Sequence, residues 1–161
     1  MINARAETVA ASPAFRTSFR RRRCIVPADG FYEWRRDGHV RQPFLIKPHA
    51  GGPMAFAGVW APWRDARSGE WLISCAVITT RANSTVTELH DRMPAILRPA
   101  DWATWLDPQL TDGALLEQFL RPADDALLGL QQVSPRVNSA LNEGPELIEP
   151  YQPPATASLF G

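Results

Sequence analysis

The chain has 161 residues, of which 45% are hydrophobic and 21% charged, and its 17 basic and 17 acidic residues give a net charge of +0. This balance is typical of a globular protein with one domain, and it excludes a polycation. No stretch approaches the ~18 apolar residues of a membrane span, no signal peptide is recognisable, and Cys24 and Cys75 fit neither a disulfide framework nor a zinc site. We expect a monomeric, cytoplasmic protein that uses no metal and no cofactor.

The first residues already have the pattern of a structured interior. Residues 1–8, MINARAET, alternate polar and apolar side chains. Such alternation is typical of a strand or a strand-to-helix junction and not of a frayed end. Residues 8–19 then predict a short helix, which Pro13 weakens.

Strands dominate the prediction up to residue 97. They are expected at residues 24–26, 31–35, 44–47, 55–60, 71–80 and 94–97. Pro27 is expected to interrupt the first of them, and Asp37-Gly38 indicates a hairpin after the second. The nearly continuous apolar run at 71–80 is expected at the centre of a sheet.

Helices are predicted later, at residues 99–106 and 111–120, with Thr111 as the cap of the second. The apolar face of that second helix comprises Leu115, Leu116, Phe119 and Leu120. Residues 131–133 are expected to return to the sheet. The predicted fold class is α+β, with a strongly bent, barrel-like sheet of mixed and antiparallel strands and peripheral helices. One domain should span residues 1–150, followed by a flexible tail at 151–161.

Glu33, in the segment FYEW, is a candidate acid or base. On a strand its side chain lies on the face of Phe31 and Arg35, opposite Tyr32 and Trp34. Large apolar neighbours would desolvate the carboxyl group and raise its pKa, which suits proton transfer. A surface ion pair with Arg35 or Arg36 is the competing interpretation, and the residues alone favour it.

His90, in the segment HDRMP, is a second candidate, in a loop that follows an apolar strand. Histidine transfers protons near neutral pH, and Arg92 beside it could hold a phosphate or carboxylate in a bidentate way. The alternative is a structural histidine with a surface pair between Asp91 and Arg92. His39 and His49 have the sequence context of solvent-exposed residues, and the histidines show no metal-ligand spacing.

Basic and aromatic residues suggest a nucleic-acid surface without proving one. The run Arg20, Arg21, Arg22 and Arg23 could line a phosphate-binding surface, or it could be an exposed turn. The six tryptophans are many for this length, and one or two of them could stack on unpaired bases.

Several segments, taken together, resemble one known family. They are INARAET, RRRCIVPADGFYEW, PFLIKP, FAGVW, ITTRAN, HDRMPAIL and VSPRVNSALNEGPELIEP. In order and wording they are similar to the SOS response-associated peptidase family of abasic-site processing proteins, through Pro150. The resemblance implies recognition of abasic sites in single-stranded DNA. It also implies that an N-terminal Cys, exposed by self-removal of the initiator Met, closes a thiazolidine crosslink with the ring-opened sugar.

The resemblance also implies roles for individual residues. Asn3 matches the asparagine that orients the reacting N-terminus, and Arg5 matches an arginine that contacts phosphate. Glu33 matches the acid/base carboxylate, His90 the histidine that handles protons on the sugar oxygen, and Arg92 an arginine on the DNA backbone. With Arg20 to Arg23, these arginines form the expected DNA-binding set.

The sequence departs from the family at its start, because Met1 is followed by Ile2 and not by the expected Cys. We therefore expect the N-terminal portion of the domain, with its nucleophile, to be missing. Three explanations stay open: a true start further upstream, a degraded remnant, or a shortened protein that binds DNA without bonding to it. Cys24 has no adjacent amine and cannot close a thiazolidine, whereas the α-amine of Met1 could form a Schiff base. The alternative function is a non-catalytic single-stranded DNA-binding module.

Overall fold

The computed structural model describes residues 1–38 and 40–153. Its strands, in chain order, are β1 (Asn3–Arg5), β2 (Arg23–Ala28), β3 (Phe31–Asp37), β4 (Val40–Pro48), β5 (Met54–Arg64), β6 (Trp71–Arg81), β7 (Arg92–Pro94) and β8 (Leu128–Gln132). Its α-helices are α1 (Ala6–Val9), α2 (Arg16–Arg21), α3 (Ser84–Thr87), α4 (Trp102–Leu106) and α5 (Gly113–Glu117). Short 3-10 helices lie at Pro99–Asp101, Asp125–Leu127, Pro135–Asn138 and Pro145–Ile148.

The strands form two sheets. The larger has the order β1-β6-β5-β2, with β1 parallel to β6 and the other pairs antiparallel. Strands β5 and β6 separate beyond the Gly58–Val77 pair, and β7 pairs with β6 there while Ile96 bridges to Phe56. The smaller sheet is antiparallel, in the order β3-β4-β8.

Two apolar clusters hold these elements in three layers. The first joins one face of the larger sheet to the helices and includes Ala57, Ile78, Phe19, Trp105 and Leu116. The second lies between the two sheets and includes Ile46, Met54, Phe56, Met93 and Leu128. Because side chains alternate along a strand, β2, β5 and β6 each supply both clusters.

The α+β prediction is confirmed, with antiparallel and parallel pairing and small peripheral helices. In the described chain the two sheets stay separate and do not close into a barrel. Five of the six predicted strands are present, and β6 is interior to its sheet as expected. The strand predicted at 94–97 lies earlier, as β7, and is followed only by the bridge at Ile96. However, residues 71–75 of β6 are exposed, because its first half pairs with the end of β5 beyond the core.

Local predictions were less accurate. The helix predicted at 8–19 is two short helices on either side of Pro13, and Asp112, not Thr111, caps α5. Pro27 does not interrupt β2, because that strand lies at the sheet edge, where a missing N–H breaks no ladder. His39 and residues 154–161 of the predicted tail lie outside the described residues, and the domain limits stay predictions.

No helix among the described residues is long and apolar enough to cross a membrane.

Candidate functional site

A cleft of about 430 Å³ opens beside the second apolar cluster, where the two sheets meet. Its lining comprises Asn3, Arg5, Phe31, Tyr32, Glu33, Phe56, Val77, Thr79, His90, Arg92, Met93 and Pro94. The fold therefore brings together five of the candidates chosen from the sequence, from three distant segments: Asn3, Arg5, Glu33, His90 and Arg92.

The pairing of β1 with β6 places Asn3 and Arg5 in the cleft. Asn3 lies opposite Val77 and Arg5 opposite Thr79, so both polar side chains share the face that points toward the smaller sheet. Ala4, between them, faces the helices and is only 2% exposed. The alternation in the first residues thus separates a core face from a cleft face. Both polar residues are exposed, and Arg5 makes no ion pair within the described residues.

Glu33 lies on the inner face of β3, beside the Phe31 ring that packs edge-on against Phe56 at 5.9 Å. Its carboxyl oxygen is 4.0 Å from Nδ1 of His90. Burial raises the pKa of the Glu33 carboxyl above its ordinary value; His90 and the backbone N–H of Trp34 oppose this shift, and Asp91 adds to it. No ion pair joins Glu33 to Arg35 or Arg36 in the described chain, and Arg35 instead lies 5.0 Å from the Phe44 ring centroid.

The backbone fixes the orientation of the His90 ring. The N–H of Arg92 donates to Nδ1 of His90 at 3.0 Å, so the neutral ring carries its proton on Nε2. Nδ1 also lies 3.3 Å from a carboxyl oxygen of Asp91 and 3.4 Å from the Arg92 carbonyl, and both of these oxygens could accept from Nδ1 only in a ring that carries a proton there. The shorter backbone bond defines the neutral state, because Asp91 is largely exposed to solvent.

Arg92 is held in place and is not a free cation. Its Nη1 and Nη2 donate to the two carboxyl oxygens of Glu7 at 2.6 and 2.9 Å, and Nη2 also donates to the Thr79 carbonyl at 2.6 Å. This hydrogen-bonded pair lowers the pKa of Glu7. The surface pair considered between Asp91 and Arg92 is not formed. Glu7 was not a candidate from the sequence, because its partner is 85 positions away.

The four consecutive arginines lie away from this cleft and do not act alike. Arg23 is 8% exposed and donates to the backbone carbonyls of Phe19, Arg20, Trp105 and Asp107, so it joins α2, β2 and α4. Arg22 lies 5.9 Å from the Trp60 ring centroid. Arg20 and Arg21 are exposed and line a separate surface cleft with Arg16.

The cysteines also lie outside the cleft lining. Cys24 is half-buried, and burial raises the pKa of its thiol, which disfavours the nucleophilic thiolate. Cys75 is exposed on the first half of β6. Within the described residues, no group of His, Cys, Asp and Glu is arranged to hold a metal ion.

The tryptophans divide between core and surface. Trp105 is fully buried, whereas Trp63 and Trp71 are 53% and 69% exposed at the end of the β5–β6 hairpin. Tyr32 lines the cleft and its ring lies 6.5 Å from that of Trp34. Sequence reasoning placed Tyr32 on the other face of β3 from Glu33, and the cleft is open enough at this edge for both to reach it.

Comparisons with known proteins identify the family to which the chain is similar. A family model described as SOS response associated peptidase (SRAP) matches residues 1–140. The abasic site processing protein YoqW of Bacillus subtilis is 43% identical over 94% of this chain and 67% of its own length. YedK of Escherichia coli is 30% identical over 93% of this chain and 67% of its own, and HMCES of Gallus gallus is 31% identical over 93% and 50%.

The fold is also similar to that of solved structures. A solved structure of a Bacteroides thetaiotaomicron protein superposes with a TM-score of 0.86 at 30% identity, over 93% of this chain and 66% of that one. The chain thus spans about two thirds of the length of these bacterial proteins and half of the vertebrate one.

Proposed function

Because the chain belongs to the SOS response associated peptidase (SRAP) family, several members of which are named abasic site processing proteins, we propose that it recognises abasic sites in single-stranded DNA. One observation carries the proposal: Glu33 and His90 lie 4.0 Å apart in a cleft that also holds Asn3 and Arg5. The cleft therefore combines proton-transfer groups with a free cation and a hydrogen-bonding amide.

Proton transfer suits the chemistry of an abasic sugar. Its ring-opened form is an aldehyde, and an amine that attacks it must lose the aldehyde oxygen as water to give an imine. That oxygen needs a proton donor. The Glu33 carboxyl, with its raised pKa, is suited to donate that proton. The His90 ring, 4.0 Å away, can donate it in the protonated form.

Recognition of the strand falls to Arg5 and Asn3. Arg5 is exposed beside Thr79 and can bind the phosphate that flanks the missing base. Asn3 lies on the same face of β1 and can orient the attacking amine with its side-chain amide.

The resemblance also implies closure of a thiazolidine, a covalent step that uses an N-terminal Cys. Its thiol and amine together would close the thiazolidine, and removal of the initiator Met would expose them. Cys24 does not replace it, because its thiol has a raised pKa and no neighbouring amine.

Binding to abasic DNA tests recognition directly. We expect the chain to bind a single strand with one abasic site at least about tenfold more tightly than the intact strand, in fluorescence anisotropy. His90→Gln should reduce this preference, whereas His49→Gln, at an exposed histidine of another loop, should not. Equal affinity for the two strands in the folded wild-type chain would contradict the proposal.

A denaturing gel tests the chemistry separately. A slowly migrating band that forms only with abasic DNA shows a covalent adduct, and peptide mapping of that band identifies the nucleophile. Absence of the band, with preferential binding retained, would restrict these residues to recognition.

The exposed hairpin supports one alternative. Trp63 and Trp71 lie at the end of β5 and β6 with Arg64, an arrangement that can stack unpaired bases. A non-catalytic single-stranded DNA-binding module of this kind would bind intact strands as well as abasic ones, with a strong salt dependence. Trp71→Ala would then weaken binding to both strands equally.

A further inference from the structure

We propose that Glu7 is a positioning residue that fixes Arg92 across the cleft and offsets its charge, so that Arg5 supplies most of the attraction for phosphate within the cleft lining while Arg92 donates through Nη1 to an oxygen atom of the bound sugar. This inference rests on the proposed function and assigns different work to the two arginines of the cleft. It concerns Glu7, a residue outside the cleft lining.

The geometry of Arg92 leaves little freedom. A guanidinium has five N–H groups. Two of these bind the Glu7 carboxylate and one binds the Thr79 carbonyl. Among the described residues, Nε of Arg92 is buried without a partner and Nη1 has one hydrogen left. The side chain is 18% exposed and lines the cleft, and because Nε is buried, the remaining N–H of Nη1 is the donor that it can offer there.

The ion pair between Glu7 and Arg92 also connects the β1–α1 segment to β7, the elements on the two sides of the site. Glu7 is in α1, directly after the strand that carries Asn3 and Arg5. Arg92 begins β7, and its backbone N–H orients His90. Thr79 is the third point of contact, since it pairs with Arg5 in one direction and with Pro94 in the other. Loss of Glu7 would therefore let the proton-transfer group move relative to the strand-binding group, which is costly for catalysis.

Charge separates the arginines further. A carboxylate bonded to both Nη atoms makes the Glu7–Arg92 pair neutral as seen from a distance. A neutral pair attracts a phosphate weakly, but its free Nη1–H can donate to an uncharged oxygen, such as one of a ring-opened sugar. Arg5 has no such partner among the described residues and keeps its full charge.

The salt dependence of binding to intact single strands measures how much Arg5 and Arg92 each contribute to phosphate binding. Each phosphate neutralised contributes about 0.7 to the slope of log affinity against log salt concentration. We expect Arg5→Gln to lower the slope by about that amount and Glu7→Gln to raise it, because the freed Arg92 gains a phosphate. Glu88→Gln removes an exposed carboxylate near His90 that contacts no arginine, so its slope should stay close to that of the wild type.

The preference for abasic over intact strands measures positioning. Glu7→Gln should reduce it about tenfold while affinity for intact strands rises, a split that simple loss of folding cannot produce. Arg92→Lys keeps the charge but loses the two-point contact, so it should reduce the preference with no increase in salt slope. This second variant keeps the test valid if Glu7→Gln folds poorly.

The wild-type chain alone provides a further check by NMR. The Nη–H signals of Arg92 should be resolved and slow to exchange, and the signal of the free Nη1–H should shift when a strand with an abasic site is added. Averaged Nη–H signals in the folded protein, or a Glu7→Gln variant with wild-type slope and preference, would overturn the inference. A wild-type chain with no abasic preference would overturn the proposed function instead, and the salt slopes would still decide the role of Glu7.

Discussion

Glu33 acquires its properties from the surface on which β3 places it. The residue shares a face with Phe31 and meets His90 at the edge of the apolar cluster, where solvent is partly excluded. Its pKa is raised mainly by burial, so a larger fraction of the group is protonated near neutral pH than for an exposed glutamate. A carboxylic acid of this kind can donate a proton where an ordinary carboxylate cannot.

This environment predicts the effect of Glu33→Gln. The rate at which an abasic strand forms an imine with the Met1 α-amine, trapped by borohydride, should fall about 100-fold or more, with little change in affinity for the intact strand. In the wild type the rate should also fall as pH rises through the raised pKa of Glu33, because the acid form is lost, and the variant should lack this fall. Time courses on denaturing gels at several pH values measure both effects. Glu117→Gln, at an exposed position on α5, serves as the control.

Glu7 has the opposite shift and therefore the opposite pH dependence. Its folded pKa is lowered by the bond from Arg92, so the pair stabilises the fold above the unfolded value of about 4.3. That contribution is lost as pH falls through the lowered folded pKa. We expect the wild type to lose more unfolding free energy than Glu7→Gln between pH 6 and a pH well below about 4, in urea titrations. The difference should be modest, because Glu7 is 42% exposed.

At the scale of elements, helix α5 should depend on Asp112 and not on the neighbouring Thr111 for its N-terminal cap. The carboxylate of Asp112 accepts hydrogen bonds from the N–H groups of Ala114 and Leu115. Asp112→Ala should therefore cost about 1 kcal/mol of unfolding free energy. Thr111→Ala should cost less than about 0.5 kcal/mol, because Thr111 is exposed and makes no capping bond. Equal costs in urea unfolding would contradict the assignment.

In the larger sheet, the close packing around Gly58 leaves no room for a side chain at that position. A Cβ atom there would lie 2.9 Å from the sulfur of Cys24 and 3.2 Å from a methyl group of Val26. Gly58→Ala should therefore destabilise the fold by about 1–3 kcal/mol. Adding Cys24→Ala should recover part of the loss, because the closest contact is with the sulfur. The midpoints of urea unfolding for the single and double variants give the answer, and an additive double variant would contradict it.

Strands could be predicted well because their apolar, β-branched segments are continuous and are bounded by turn residues. Helices could be predicted less well. They are four to six residues long, so tertiary packing and not propensity decides where they end. Pro27 was misjudged because the sequence does not show that β2 lies at a sheet edge.

The whole molecule explains why the candidate site could be predicted only in part. Glu33 and His90 were recognisable by residue type, context and resemblance. Their contact depends on the packing of the smaller sheet against the larger one, which no local pattern encodes. The Glu7–Arg92 pair was missed for the same reason, and Arg23 belongs to the helical layer although its sequence context resembles that of Arg20.

The layered arrangement also separates three surfaces that could bind DNA. These are the cleft between the sheets, the cleft lined by Arg16, Arg20 and Arg21, and the exposed hairpin with Trp63 and Trp71. We propose that the cleft between the sheets holds the abasic sugar, while the other two surfaces at most contact the flanking strand.

NMR mapping with a short single strand that carries one abasic site tests this claim most directly. We predict that the largest backbone shift changes occur at Asn3, Arg5, Glu33 and His90, and that the intact strand does not produce them. If the changes are confined to the arginine surface or to the hairpin, and the cleft residues stay unchanged, the cleft is not the abasic-site pocket.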